Sequence, residues 1–238
     1  MRPQRPAPTS SLFSAVLGLG LLAGLAPSAL AQDSFKIEPT KEAPPAALAA
    51  PIRESLKPEG FKIVDGGGKV YAEFWLRKAT PASEKPAGPK GPVQFPFLAD
   101  GELLGALRFP GEGRDNRDQS IAKGIYTLRY GLQPVNGDHL GVSPFRDYVL
   151  MLPAAKDTAV AGVPRKALEE KSSESAGTSH PAVMLLSAPA PSAAVPSVTR
   201  DEEKNTWSAV VPLSVQVKGE SGTTAVNVQV LFLGVLGA

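Results

Sequence analysis

The two runs 206-TWSAVVPLSVQVK-218 and 223-TTAVNVQVLFL-233 decide the fold. In the first, Trp207, Ala209, Val211, Leu213, Val215 and Val217 alternate with mostly polar or small neighbours. Val226, Val228, Val230 and Phe232 do the same in the second. Successive side chains on a strand point to opposite faces, so each run carries one apolar row. The intervening 219-GESG-222 permits a reversal. A hairpin follows, and its apolar face demands a second layer.

Similar patterns lie upstream. Residues 61–65 and 69–77 flank Gly66-Gly67-Gly68, whose freedom at positive φ suits a tight turn. On the second of these strands Val70, Ala72, Phe74 and Leu76 share the core face, with Tyr71, Glu73, Trp75 and Arg77 opposite. Residues 105–109, 125–133, 145–152 and 180–187 read as further strands rich in β-branched, aromatic and leucine side chains. Five prolines in 80–96 make that stretch a surface loop, and 188–198 is a second one. The polar stretch 154–179 holds one short helix at 164–171, with proline in its first turn. About eight strands, no long amphipathic helix and no internal repeat predict an all-β fold. The expected form is an antiparallel β-sandwich of Ig-like or jelly-roll-like type, with a partly open β-barrel as the alternative. Residues 58–238 form its single domain. Residues 32–57, with Pro39, Pro44, Pro45 and Pro51, read as a flexible Pro/Ala-rich linker with one helical turn near 52–56.

The N-terminus reads as a signal peptide over 1–31. Arg2 and Arg5 precede an apolar run at 12–25, followed by Ala29-Leu30-Ala31. The run is too short to span a bilayer, which takes about 20 residues. Cleavage after Ala31 is expected, with export by the Sec route to the periplasm or beyond the cell, and no transmembrane segment in the mature form. Of 25 basic and 23 acidic residues, cleavage removes two arginines and no acid, leaving 23 of each. A neutral mature chain gives no basic excess for nucleic acid. The absence of cysteine excludes thiolate chemistry, disulfides and lipoprotein anchoring.

The turn and strand 121-IAKGIYTL-128, continued by 126-YTLRYGLQPVNGDH-139 and by Phe145-Arg146-Asp147, resembles a signature of small secreted bacterial β-sandwich proteins. The resemblance covers roughly residues 101–190. It implies a fold and an exported location, and it brings no activity with it.

Asn136, Asp138, His139, Arg146 and Asp147 form the densest polar cluster, with Ser143 among them, and His180 is the second histidine. Imidazole and carboxylate are ligands for divalent metals, so His139, His180 and Asp138 are the candidate metal set, although their spacing matches no ligand motif. A hydrolytic triad on Ser143 lacks a nucleophile elbow. The 115-DNRDQ-119 run lacks the bidentate glutamate of a calcium loop. Tyr71 and Trp75 could form a sugar-stacking platform if the 80–96 loop leaves them uncovered. The leading expectation is a non-enzymatic binding or scaffolding protein at the cell envelope, partnered by an envelope protein or polysaccharide, with no cofactor. A small metal-binding protein or metal-dependent enzyme and a carbohydrate-binding module are the alternatives.

Overall fold

A computed structural model describes residues 34–135 and 143–235. Strand β1 (Phe35–Thr40) is followed by helix α1 (Ala50–Ser55), the hairpin β2 (Gly60–Asp65) and β3 (Val70–Leu76), the short β4 (Thr80–Ala82) and β5 (Leu103–Phe109). A two-stranded ribbon, β6 (Gly113–Arg114) and β7 (Ser120–Ile121), precedes β8 (Gly124–Leu132) and β9 (Asp147–Pro153). Helix α2 (Arg165–Ala176) leads to β10 (Val183–Ser187), β11 (Ser197–Asp201) and the closing hairpin β12 (Thr206–Val217) and β13 (Thr224–Leu233). The all-β expectation holds. Each of the eight strands anticipated from periodicity is present, the strand expected at 180–187 starting at Val183.

Eleven strands share one hydrogen-bonded sheet in the order β1-β2-β3-β5-β8-β9-β10-β13-β12-β11, with β4 added in parallel against β12. The sheet curls into an open half-barrel. Strand β10 makes the turn. Its first three residues pair with β9, and Leu186 and Ser187 pair with β13. Curling brings the two ends of the path, β1 and β11, side by side, yet among the described residues no ladder joins them. We call this unbonded junction the seam. Pro39 lies in β1, as befits an edge strand. Pro212 lies where the outer edge of β12 is unpaired, between the last partner of β11 at Val210 and the first partner of β4 at Val215.

The inner face carries the core. Ala72, Phe74 and Leu76 of β3 meet Ala209, Val211 and Leu213 of β12, as their alternation predicts. Outside the sheet, two covers bury the opposite face. The first is the segment expected to be a linker. Residues 35–40 pair along the whole of β2, and Leu48, Ile52 and Leu56 pack on Trp75, Leu103 and Ala106. The single helical turn near 52–56 exists as α1, but the prolines shape an ordered cover. Proline-broken segments can still place three buried apolar side chains at once, and that burial holds this one down. The second cover is α2, which seats Leu168 on Tyr148, Leu150 and Leu152.

Candidate functional site: the apolar interior

Between the two halves of the curled sheet lies a cavity of about 40 Å³ lined by sixteen side chains, all of them Ala, Val, Leu, Ile, Met or Phe. They come from eight strands: β2, β3, β5, β8, β9, β10, β12 and β13. Fifteen are buried, and Val230 is half-buried. No side chain in this lining donates a hydrogen bond and only the weakly accepting Met184 thioether could take one, so water there would forfeit most of its own bonds.

Each end of the interior is stoppered. At one end Phe95, Phe97 and Leu98 turn inward from the 80–96 loop and its continuation. Asp147 fixes this stopper: its carboxylate accepts from the backbone N–H of Gln94 at 2.7 Å and of Phe95 at 3.0 Å, and from the Tyr130 hydroxyl at 2.6 Å. Burial, seconded by the Asp147 carboxylate, holds the Tyr130 hydroxyl far above the usual phenol range. At the other end the rings of Phe35, Tyr71, Phe109, Tyr126, Trp207 and Phe232 pack edge to face or tilted. Phe35 is the member that crosses the seam. Its ring lies 5.2 Å from Trp207, 5.3 Å from Phe232 and 5.6 Å from Tyr71.

The residues singled out from sequence fall elsewhere. Asn136, Asp138 and His139 lie outside the described residues. Asp147 is fully buried and holds the stopper. Arg146 donates through Nε to the Gln133 carbonyl at 2.8 Å, while its backbone N–H reaches the Pro92 carbonyl. Ser143 accepts from the Phe145 N–H through its hydroxyl. His180 is exposed and its N–H donates to the Thr178 hydroxyl. Among the described residues no three His, Asp or Glu side chains gather as metal ligands.

The aromatic platform is a correction. Trp75 is fully buried under the N-terminal cover, with its indole N–H donating to the Glu42 carbonyl at 2.8 Å. The 80–96 loop covers neither ring. The approach is so close that a Cβ on Gly60 would come within 2.8 Å of the indole. Tyr71 leaves that face altogether, because Val64 pairs with Val70 and Ile63 with Ala72, making Tyr71 the extra residue of a β-bulge. It turns toward Phe109 and Phe232, accepts from the Arg114 N–H, and its hydroxyl is pushed up to about 12 by burial.

Sequence reasoning missed the polar anchors of the outer face. Arg129 and Asp157, both buried, form a bidentate pair at 2.6 and 2.8 Å, and Arg129 also donates to the carbonyls of Gly101 and Ala161. Arg129 falls on the outward phase of β8, so alternation marks it as solvent-facing; only the cover at 157–161 makes it buried. Buried Glu73 pairs through one oxygen with Nε of the half-buried Arg108, which also reaches Glu42 of the N-terminal cover. Asp115 accepts from the N–H groups of Arg117, Gln119 and Val183 and from the Gln119 side-chain amide, and these bonds tie its loop together and to β10. No helix among the described residues is long and apolar enough to cross a membrane. No family model, no curated protein and no solved structure matches the chain.

Proposed function

We propose that this chain is an exported, non-enzymatic binding protein that holds an apolar ligand inside its half-barrel. The observation that supports the reading best is the interior cavity with its sixteen apolar lining residues. A site of that composition discriminates by shape and by desolvation, and it rewards alkyl or aryl groups alone. The buried charges support the same reading, since Asp147, Asp157 and Asp115 are all engaged in holding loops against the sheet. The N-terminal signal pattern and the secreted-family resemblance favour cleavage after Ala31 and a periplasmic or extracellular home. N-terminal sequencing of the exported protein tests that part, and any start other than Gln32 contradicts it.

Binding is tested by titrating the purified protein with N-phenyl-1-naphthylamine and with n-decane. Saturable one-to-one fluorescence enhancement with the first and a raised melting temperature with the second are expected, because ligands that bind only the native state stabilise it. Ala209, which lines the cavity, provides the control: Ala209→Leu fills the space and should abolish both effects. Unsaturable fluorescence with no shift in melting temperature would sink the reading.

A further inference from the structure

We infer that the interior is loaded through the seam between β1 and β11, which parts to admit a small ligand dominated by alkyl or aryl groups; this rests on the binding function proposed above. The cavity volume of about 40 Å³ accommodates only a fragment of a ligand. Typical ligand pockets are roughly ten times larger. Any guest beyond a carbon or two must therefore spread a wall, and the walls differ in what spreading costs. From β2 round to β11, neighbouring strands are tied by antiparallel ladders, the shortest of them the two residue pairs of β10 with β13, and parting any of them breaks backbone hydrogen bonds in an apolar setting. One end is locked by the three bonds into Asp147. The outer faces at Trp75 and Leu150 lie under their covers.

The seam has none of these restraints. No ladder crosses it among the described residues, and its flanks present half-buried apolar side chains, Ile37 on β1 and Val198 on β11, that continue the core outward. Strand β1 is six residues long and is paired on one side only, by β2. What holds it across the gap at one end is Phe35, through edge-to-face contacts with Trp207 of β12 and Phe232 of β13. Neither Phe35 nor any other residue of β1 lines the cavity. Phe35 is thus a positioning residue for the gate, and truncating it should alter how fast a guest passes without altering how well it is held.

The experiment is stopped-flow exchange of N-phenyl-1-naphthylamine on the full mature chain. In Phe35→Ala, association and release should both accelerate about tenfold while Kd stays within about threefold, since rates and affinity separate when only the barrier changes. Phe95→Ala, at the opposite stopper, should leave both rates near those of the unaltered protein. Equal rates in Phe35→Ala and the unaltered protein, or acceleration by Phe95→Ala instead, would overturn the seam as the route. If Phe35→Ala does not fold, Phe35→Leu takes its place with a smaller acceleration in the same direction. Hydrogen exchange on the unaltered protein decides independently: β1 amides should exchange faster than those of β8 and should gain protection with bound probe. Protection of β1 equal to that of β8 would overturn the inference. Failure of the unaltered protein to bind the probe at equilibrium counts against the proposed function, and the exchange pattern still reports on the seam.

Discussion

Asp147 converts a proline-rich loop into a stopper, because one carboxylate serves two backbone N–H groups and one hydroxyl that are all removed from water. Removing it strands two backbone donors and leaves the Tyr130 hydroxyl only the Phe95 carbonyl, at 3.3 Å. Asp147→Ala should therefore cost about 3–5 kcal/mol in urea unfolding, whereas Tyr130→Phe, which deletes a single hydroxyl donor, should cost about 1–2 kcal/mol. A loss in Asp147→Ala no larger than in Tyr130→Phe would show that the loop is held by its phenylalanines alone. The Arg129–Asp157 pair obeys a different rule. Arg129→Met leaves a buried carboxylate without its partner and should cost about 3–5 kcal/mol, while Arg129→Met combined with Asp157→Leu should recover most of that loss. Equal losses in the single and double variants would refute this account. Tyr71 sets an alkaline limit. Its folded hydroxyl titrates near 12 against an ordinary 10, so its stabilising contribution is complete below pH 10 and is lost as pH rises through 12. Melting temperature should accordingly fall between pH 10 and 12, and the fall should be shallower in Tyr71→Phe.

Among the elements, the N-terminal cover was the least legible and one of the most consequential. Its apolar residues follow no regular period, since Leu48, Ile52 and Leu56 sit around a six-residue helix that begins at a proline-containing turn. The strands were legible because a curled sheet with an apolar interior imposes a period of two, and 206–217 and 224–233 keep one apolar row despite a bulge at Trp207 and Ser208. Short partners such as β4 and β11 carry too few residues to show any period. Helix α2 escaped full recognition for another reason. It buries one leucine and docks through Ser172 and Ser175, whose hydroxyls donate to the carbonyls of Ala182 and Met151. The site was less legible still. Alternation gives the face of Trp75 but not which segment lies over it, so the N-terminal cover is unforeseen, and it sets Tyr71 on that same face because a bulge is invisible to a simple period. Ile52→Ala should cost about 2–5 kcal/mol by opening a cavity beneath α1. It should also raise acrylamide quenching of tryptophan emission as Trp75 becomes accessible; unchanged quenching would mean that the cover is dispensable.

On the scale of the whole molecule, β10 belongs to both halves of the sheet, so neither half can close its hydrogen bonds alone. Unfolding should be a single transition with the same midpoint by circular dichroism and by tryptophan fluorescence. Two separated midpoints would indicate autonomous halves. Cavity filling offers a complementary check. Ala209→Val should change stability by no more than about 1 kcal/mol, since a void of 40 Å³ costs about that much to maintain. A substantially larger change would mean that the interior cannot accommodate the added methyl groups.

The contact of Phe35 with Phe232 also has a bearing on time. Its two rings stand 5.3 Å apart in space and almost the full length of the described chain apart in sequence. A chain emerging from its N-terminus first can pair β1 with β2 early, yet Phe35 finds neither Trp207 nor Phe232 until the last strands have appeared. Contacts of such long range slow the search for the native arrangement. The seam is consequently the last part of the molecule to be written, and a protein cut short before residue 206 would carry every lining residue of β2, β3, β5, β8, β9 and β10 with no opposing wall.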